Sequence, residues 1–298
     1  MCTSFLAFNS KTFAITGRSL DYDQDTVYKS AQFPVGHQFN SVLNNGVSWQ
    51  SQLSLFTIDS VVSDSPYPIP FEGINSAGLS ISGNLANSSY PINNPGPTIS
   101  TDDMVNWVLS QASTINEAAS LLTTVNIESP WSYHYIVFDK FGNSLVVEYE
   151  NQTPVSYFNK SMALTNNPNL KYQLENQNNY ANIRNWFPNA VLPDSGDQFH
   201  GQGMLGIPGD WMSTSRFTKV NTMLEFSLSH VTGNDDAIYL SKRILDSASL
   251  IKGIDLGNSE TGNPIYTQVQ IVKDLVNSVV YWRIYDAETW NIVNIQWT

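Results

Sequence analysis

The sequence predicts an α+β fold of four layers, αββα, in which two antiparallel sheets lie face to face with helices outside them. Three observations lead there. The 298 residues run as strands, two helices, strands, two helices, strands. Neighbouring strands are joined by short polar turns, so hairpins dominate. The βαβ alternation that a parallel sheet requires is absent. No internal repeat, linker or low-complexity block interrupts the chain, which reads as one domain over residues 2–298.

The first hairpin is "CTSFLAF" and "TFAITGR" around the turn cluster "NSK". Both strands are apolar on both faces, so their sheet should be covered on both sides. A turn centred on Ser10 would set Cys2 opposite Arg18, and a two-residue loop would shift the pairing by one. Strands follow at "VSWQSQLSLFTI" (47–58) and "GLSISGNL" (78–85). A helix is expected from about Thr101, with Asp102 and Asp103 in its first turn, where negative charge suits the helix dipole. A second begins at "TINE", where Thr114 and Glu117 form a capping box. "YHYIVFDKFGNSLVVEYE" is a hairpin with a Phe-Gly-Asn turn, and "PVSYF" and "MALTN" are short strands. Residues 168–212 are irregular and polar. "SRFTKVNTMLEFSL" and "DDAIYLSKRILDSA" read as helices. "PIYTQVQIVKD", "SVVYWRIYD" and "IVNIQW" close the chain as strands.

Composition narrows the function. The formal net charge is −12 and charged residues make up only 13%. A surface this acidic argues against nucleic acid or an anionic membrane as partner. No apolar run is long enough to span a bilayer. No signal peptide is apparent, so the expected location is the cytoplasm unless a leader has been removed. The four histidines, His37, His134, His200 and His230, are scattered without ligand spacing, and no metal or organic cofactor is expected. His134, between Tyr133 and Tyr135 on a strand, reads as a core or interface residue rather than a catalytic one. Phosphate-loop, zinc-protease and serine-hydrolase motifs are absent.

The sole cysteine stands at position 2. A small second residue permits removal of Met1, which would leave one residue carrying both a thiol and a free α-amine. Their ordinary pKa values, near ~8.5 and ~7.7–8.0, lie close to working pH. The amine can therefore take the thiol proton, directly or through a water, and later return a proton to a leaving amine. Arg18 beside the sulfur would favour the thiolate. Asp21, just past the strand end, could hold the ammonium group.

These residues resemble a known family, the choloylglycine hydrolases, which include bile salt hydrolases and penicillin V acylases and are N-terminal-nucleophile hydrolases of αββα fold. "MCTS" and "GRSLDYD" look like its nucleophile and Arg/Asp pair. "FEGINSAGLSISGNL" resembles the strand before its oxyanion site, "LTNNP" its Leu-Thr-Asn-x-Pro, and "GQGMLGIPGDWMSTSRF" a long characteristic segment. The resemblance implies catalytic roles for Cys2, Arg18, Asp21, Asn166 and Arg216, with Asn166 donating to the oxyanion. It leaves the second oxyanion position to Asn84 or Leu85; if Leu85, the donor must be a backbone N–H. Candidate pocket walls are Leu20, Tyr22, Phe56, Tyr67 and Trp131, and the short segment "NIESPW" implies an open mouth. The implied activity is hydrolysis of a linear amide bearing an apolar or aromatic acyl group, as in penicillin V. Conjugated bile salts and acyl homoserine lactones are the alternatives, and an idle binding protein of the same fold is the non-enzymatic one. Residues 168–212 resemble a segment used in assembly, which implies a homotetramer.

Overall fold

Strand β1 (Cys2–Asn9) turns back into β2 (Phe13–Tyr22), and the register pairs Asn9 with Phe13, Ser4 with Arg18 and Cys2 with Leu20. The pairing thus differs by two residues from a turn centred on Ser10, and Arg18 faces Ser4 rather than Cys2. Because side chains alternate across a strand, Cys2 and Ser4 share a face, and Arg18 reaches the cysteine as a diagonal neighbour. The computed structural model describes residues 1–9, 12–62, 65–185, 203–257 and 262–297.

The next strands are β3 (Val27–Phe33), β4 (Gln38–Asn40), β5 (Ser48–Gln50), β6 (Leu55–Val61), β7 (Ile69–Asn75), β8 (Leu79–Leu85) and β9 (Thr98–Ser100). The expected single strand over 47–58 is therefore two, in different sheets. Between them the backbone leaves strand pairing: the amides of Gln52 and Leu53 both donate to the Ser110 carbonyl. Helices α1 (Met104–Leu109) and α2 (Ile115–Thr124) come next. Helix α1 begins later than expected because Asp103 is drawn elsewhere, accepting from the Ser41 hydroxyl and the Val42 amide. Helix α2 carries the capping box, with the Thr114 side chain accepting from the Glu117 amide and Glu117 reaching back to the Thr114 amide.

Strands β10 (Asn126–Glu128), β11 (Tyr133–Asp139), β12 (Ser144–Glu150), β13 (Thr153–Phe158) and β14 (Ala163–Leu164) lead to α3 (Leu170–Gln177). Thus the described part of the polar excursion includes two helical turns; residues 186–202 of it lie outside the described residues. Helices α4 (Ser213–Ser227) and α5 (Asn234–Ala248) and strands β15 (Tyr266–Asp274), β16 (Val279–Ile284) and β17 (Asn291–Asn294) follow.

Two large antiparallel sheets result, beside the two-stranded pairs β4-β5 and β9-β10, the latter parallel. One has the order β14-β1-β2-β15-β16-β17, the other β13-β12-β11-β8-β7-β6-β3. Helices α4 and α5 pack on the first, α1 and α2 on the second, which completes the αββα layering. Phe13, Phe56, Ile58, Ile74, Phe138 and Ile271 belong to the core that includes the layer between the sheets. A second core, including Met104, Val108, Leu122 and Tyr149, lies under α1 and α2. No helix among the described residues is long and apolar enough to cross a membrane.

Candidate active site

The buried N-terminal end of β1 organises the site. Its alternation sends Cys2 and Ser4 toward the seven-stranded sheet and Thr3 toward α4. Arg18, only 1% exposed, places one guanidinium nitrogen 3.2 Å from Cys2 Sγ and 2.7 Å from the Gly83 carbonyl. Its other terminal nitrogen donates to Ser4 Oγ at 2.9 Å and to Asn84 Oδ1. The guanidinium is thereby held against the sulfur by hydrogen bonds from both terminal nitrogens.

Asn166 and Arg216 approach from the other side. Cys2 N donates to Asn166 Oδ1 at 2.7 Å, and Asn166 Nδ2 donates to the Leu85 carbonyl at 2.8 Å. The Asn166 amide donates to Ser213 Oγ, and Gln173 Nε2 donates to the Asn166 carbonyl, so strand end, α3 and α4 hold this residue together. Arg216, in the first turn of α4, donates to the Cys2 carbonyl at 2.5 Å, to Thr3 Oγ1 and to Asn166 Oδ1 at 2.9 Å. Burial lowers its pKa, and the opposing charges of Asp21 and Cys2 work against that shift.

Asp21 is buried but does not touch Cys2 N. Its Oδ1 accepts from Thr267 Oγ1, and its Oδ2 lies 4.0 Å from Arg216. Its backbone pairs with Met1 in both directions, as an extension of the β1–β2 ladder. Met1, Cys2, Arg18 and Asp21 together border a cavity of about 150 Å³.

The sequence-derived wall residues divide. Leu20, Tyr22 and Trp131 lie on that cavity, and so does Leu85. Phe56 does not: it is 3% exposed in the core between the sheets. Ser60, on the same strand, does line the cavity, and four residues of strand place Phe56 roughly 13 Å away. Tyr67 is not on the wall either; its hydroxyl reaches Asp102, which is. At the ambiguous oxyanion position, Asn84 is fully buried, bound to Arg18 and donating to the Leu164 carbonyl, whereas Leu85 is 44% exposed at the cavity.

A model of the linear amide C–N hydrolases, choloylglycine hydrolase family, matches residues 2–297. The chain belongs to that family. This hydrolase acts on linear amides, in keeping with the match along its whole length. It is 31% identical over 250 residues to a bile salt hydrolase/transferase of Lactiplantibacillus plantarum, covering 77% of this chain and 74% of the relative. A bile salt hydrolase/transferase of Clostridium perfringens is 23% identical over 99% of this chain and 92% of its own. In fold, the hydrolase matches a conjugated bile acid hydrolase of Clostridium perfringens with TM-score 0.83 at 21% identity, covering 99% and 92% of the two chains. It matches a penicillin V acylase of Agrobacterium tumefaciens with TM-score 0.80 at 21% identity, covering 99% and 86%.

Sequence reasoning missed the layer behind the site. Glu72 on β7 is fully buried, 3.8 Å from Arg18 Nε and in contact with Lys273 of β15 and Ser82 of β8. Burial, then the nearby Arg18 charge, holds the Lys273 ammonium well below the ordinary lysine range. The available signal was a lone basic residue in the apolar run "TQVQIVKD". His134 is buried as expected, with Nδ1 2.9 Å from Glu148 and Nε2 2.9 Å from the Thr165 carbonyl, next to Asn166. Among the described residues no three His, Cys, Asp or Glu side chains converge as a metal site would require.

Proposed function

We propose that this hydrolase works through Cys2 as an N-terminal nucleophile once Met1 is removed, cleaving an apolar or aromatic acyl group from a small polar amine. The observation that carries this reading is Cys2 itself. Its nitrogen is 2.7 Å from Asn166 Oδ1 while its sulfur is 3.2 Å from the Arg18 guanidinium. With Met1 gone, that nitrogen becomes the α-amine, oriented by Asn166 and close to its own thiol.

The amine takes the thiol proton, directly or through a water, and the thiolate attacks the substrate carbonyl. Asn166 Nδ2 donates to the resulting oxyanion; removal of one such donor costs roughly 10²–10³ in turnover in other hydrolases. Leu85 has no side-chain donor, so the second donor is a backbone N–H. The α-ammonium protonates the leaving amine, and water then cleaves the thioester. Arg18 stabilises the thiolate, Arg216 fixes the Cys2 carbonyl, and Asp21 balances the charge of Arg216.

Cavity size bears on the acyl group. An apolar cavity near 150 Å³ accommodates about one benzene-sized ring. The cavity here, of about 150 Å³ with Met1 at its edge, suits the phenoxyacetyl group of penicillin V better than a steroid nucleus. Conjugated bile salts are the second reading, favoured by the names of the curated relatives. Penicillin V, glycocholate and a long-chain acyl homoserine lactone assayed side by side decide the matter. Highest kcat/KM on penicillin V is expected, and a preference for glycocholate or the lactone would displace that assignment. Cys2→Ser should abolish turnover with the circular dichroism spectrum unchanged; an active variant would refute the nucleophile.

A further inference from the structure

The cavity wall is not uniformly apolar. Its lining includes Leu20, Phe71, Leu85 and Tyr133, and also a carboxylate, Asp102. The other carboxylate on the wall, Asp21, is occupied by Thr267 and faces Arg216. Asp102 is different. Among the described residues its carboxylate meets neutral hydroxyls, Tyr67 at 3.4 Å, a long bond, and Thr101, and no basic side chain pairs with it. Its neighbour Asp103 turns away, toward Ser41 and Val42.

Burial, followed by the charge of Asp103, raises the Asp102 pKa above the ordinary carboxylate value. A partly desolvated carboxylate without a cation is unfavourable, and a ligand that brings a positive charge relieves it. Trp131, 46% exposed, lines the same wall. The two are mechanically linked: the Trp131 amide donates to Ser129 Oγ at 3.0 Å, and Ser129 Oγ bonds to Thr101 Oγ1, one residue before Asp102. An indole and a carboxylate lining one cavity suit a cation, the ring through its quadrupole and the acid through its charge. The guanidinium of Arg18 lies against the Cys2 sulfur, so the wall carries a positive charge at Cys2 and a carboxylate at Asp102.

We propose that Asp102 and Trp131 form a distal subsite that binds a protonated amine carried by the acyl group of the substrate. This rests on the acyl group occupying the Cys2 cavity, as in the function proposed above. The preferred acyl group then has an apolar or aromatic body, a carbonyl at Cys2 and an ammonium at its far end.

The test compares two nearly isosteric amides of glycine, 4-(aminomethyl)phenylacetyl-glycine and 4-ethylphenylacetyl-glycine, on the wild type and Asp102→Asn. The asparagine keeps the shape of the side chain. Wild-type kcat/KM should favour the aminomethyl substrate about tenfold or more, and the ratio should fall to near one in the variant. A wild-type ratio near one, or the same ratio in the variant, would overturn the subsite. Calorimetry with the two free acids gives a second readout that needs no turnover. If neither amide is cleaved but the amine-bearing acid binds about tenfold tighter to wild type than to Asp102→Asn, the subsite stands and the hydrolysis reading falls. If both amides are cleaved with equal efficiency, hydrolysis stands and the subsite falls. If there is neither cleavage nor a difference in binding, both fall.

Discussion

The hydrogen bonds of Asn166 separate its roles. Oδ1 accepts from Cys2 N and Arg216, Nδ2 donates to the Leu85 carbonyl, and the backbone amide donates to Ser213. An amide nitrogen carries two hydrogens. The second is the one assigned here to the oxyanion. Asn166→Asp keeps the acceptor for Cys2 N and Arg216 and removes the amide donors, the bond to the Leu85 carbonyl among them. It also adds negative charge where the oxyanion would form. Turnover should fall by roughly 10²–10³ or more, with KM changed far less, because the donor acts chiefly in the transition state. Asn166→Ala removes the acceptor as well and leaves a buried Arg216 nitrogen without that partner. Besides the loss of turnover, it should cost about 1–3 kcal/mol of stability. The assay is amine release under steady-state conditions, with urea unfolding of each variant alongside. An Asn166→Asp enzyme within tenfold of wild-type kcat would refute the oxyanion role.

Two further expectations concern buried charge. Burial pushes the Asp59 carboxyl up to about 6, against the favourable Thr57 side chain. The folded state therefore holds its proton more tightly than the unfolded chain. Stability from this group is greatest below about pH 4 and is lost as pH rises through about 6, by roughly 3 kcal/mol at most. Asp59→Asn should raise Tm at pH 7 and show little advantage at pH 4; an equal effect at both values would contradict this. Glu72→Gln should destabilise by about 3–5 kcal/mol, since it leaves Arg18 and Lys273 buried without the carboxylate between them. The double variant Glu72→Gln/Lys273→Met should recover part of that loss in urea unfolding, and no recovery would remove the charge explanation.

Much of the fold was legible because its signals are local. The capping box at Thr114 and Glu117, the Phe-Gly-Asn hairpin and the long apolar strands each depend on residues near in sequence. The register of the first hairpin was not, because a shift of two residues leaves every side chain on the same face and so leaves the hydrophobic pattern intact. Strand β3 was passed over: its "VYKSAQF" is largely exposed at the edge of the seven-stranded sheet, so it lacks an apolar signature. At the site, the motifs named Cys2, Arg18, Asp21, Asn166 and Arg216, and these lie together in the structure. Glu72 and Lys273 could not be paired from sequence, since they are 201 positions apart on opposite sheets and meet only when those sheets stack. Phe56 was misassigned to the cavity because an apolar strand residue looks the same in a core as in a pocket wall.

The central claim is that the α-amine of Cys2 serves its own thiol, and intact-mass spectrometry during turnover tests it most directly. Active protein incubated with penicillin V and quenched in acid should lack the mass of Met1. It should carry a phenoxyacetyl adduct on the peptide that begins with Cys2. Full activity in a chain that retains Met1, or an adduct on any other residue, would contradict the account.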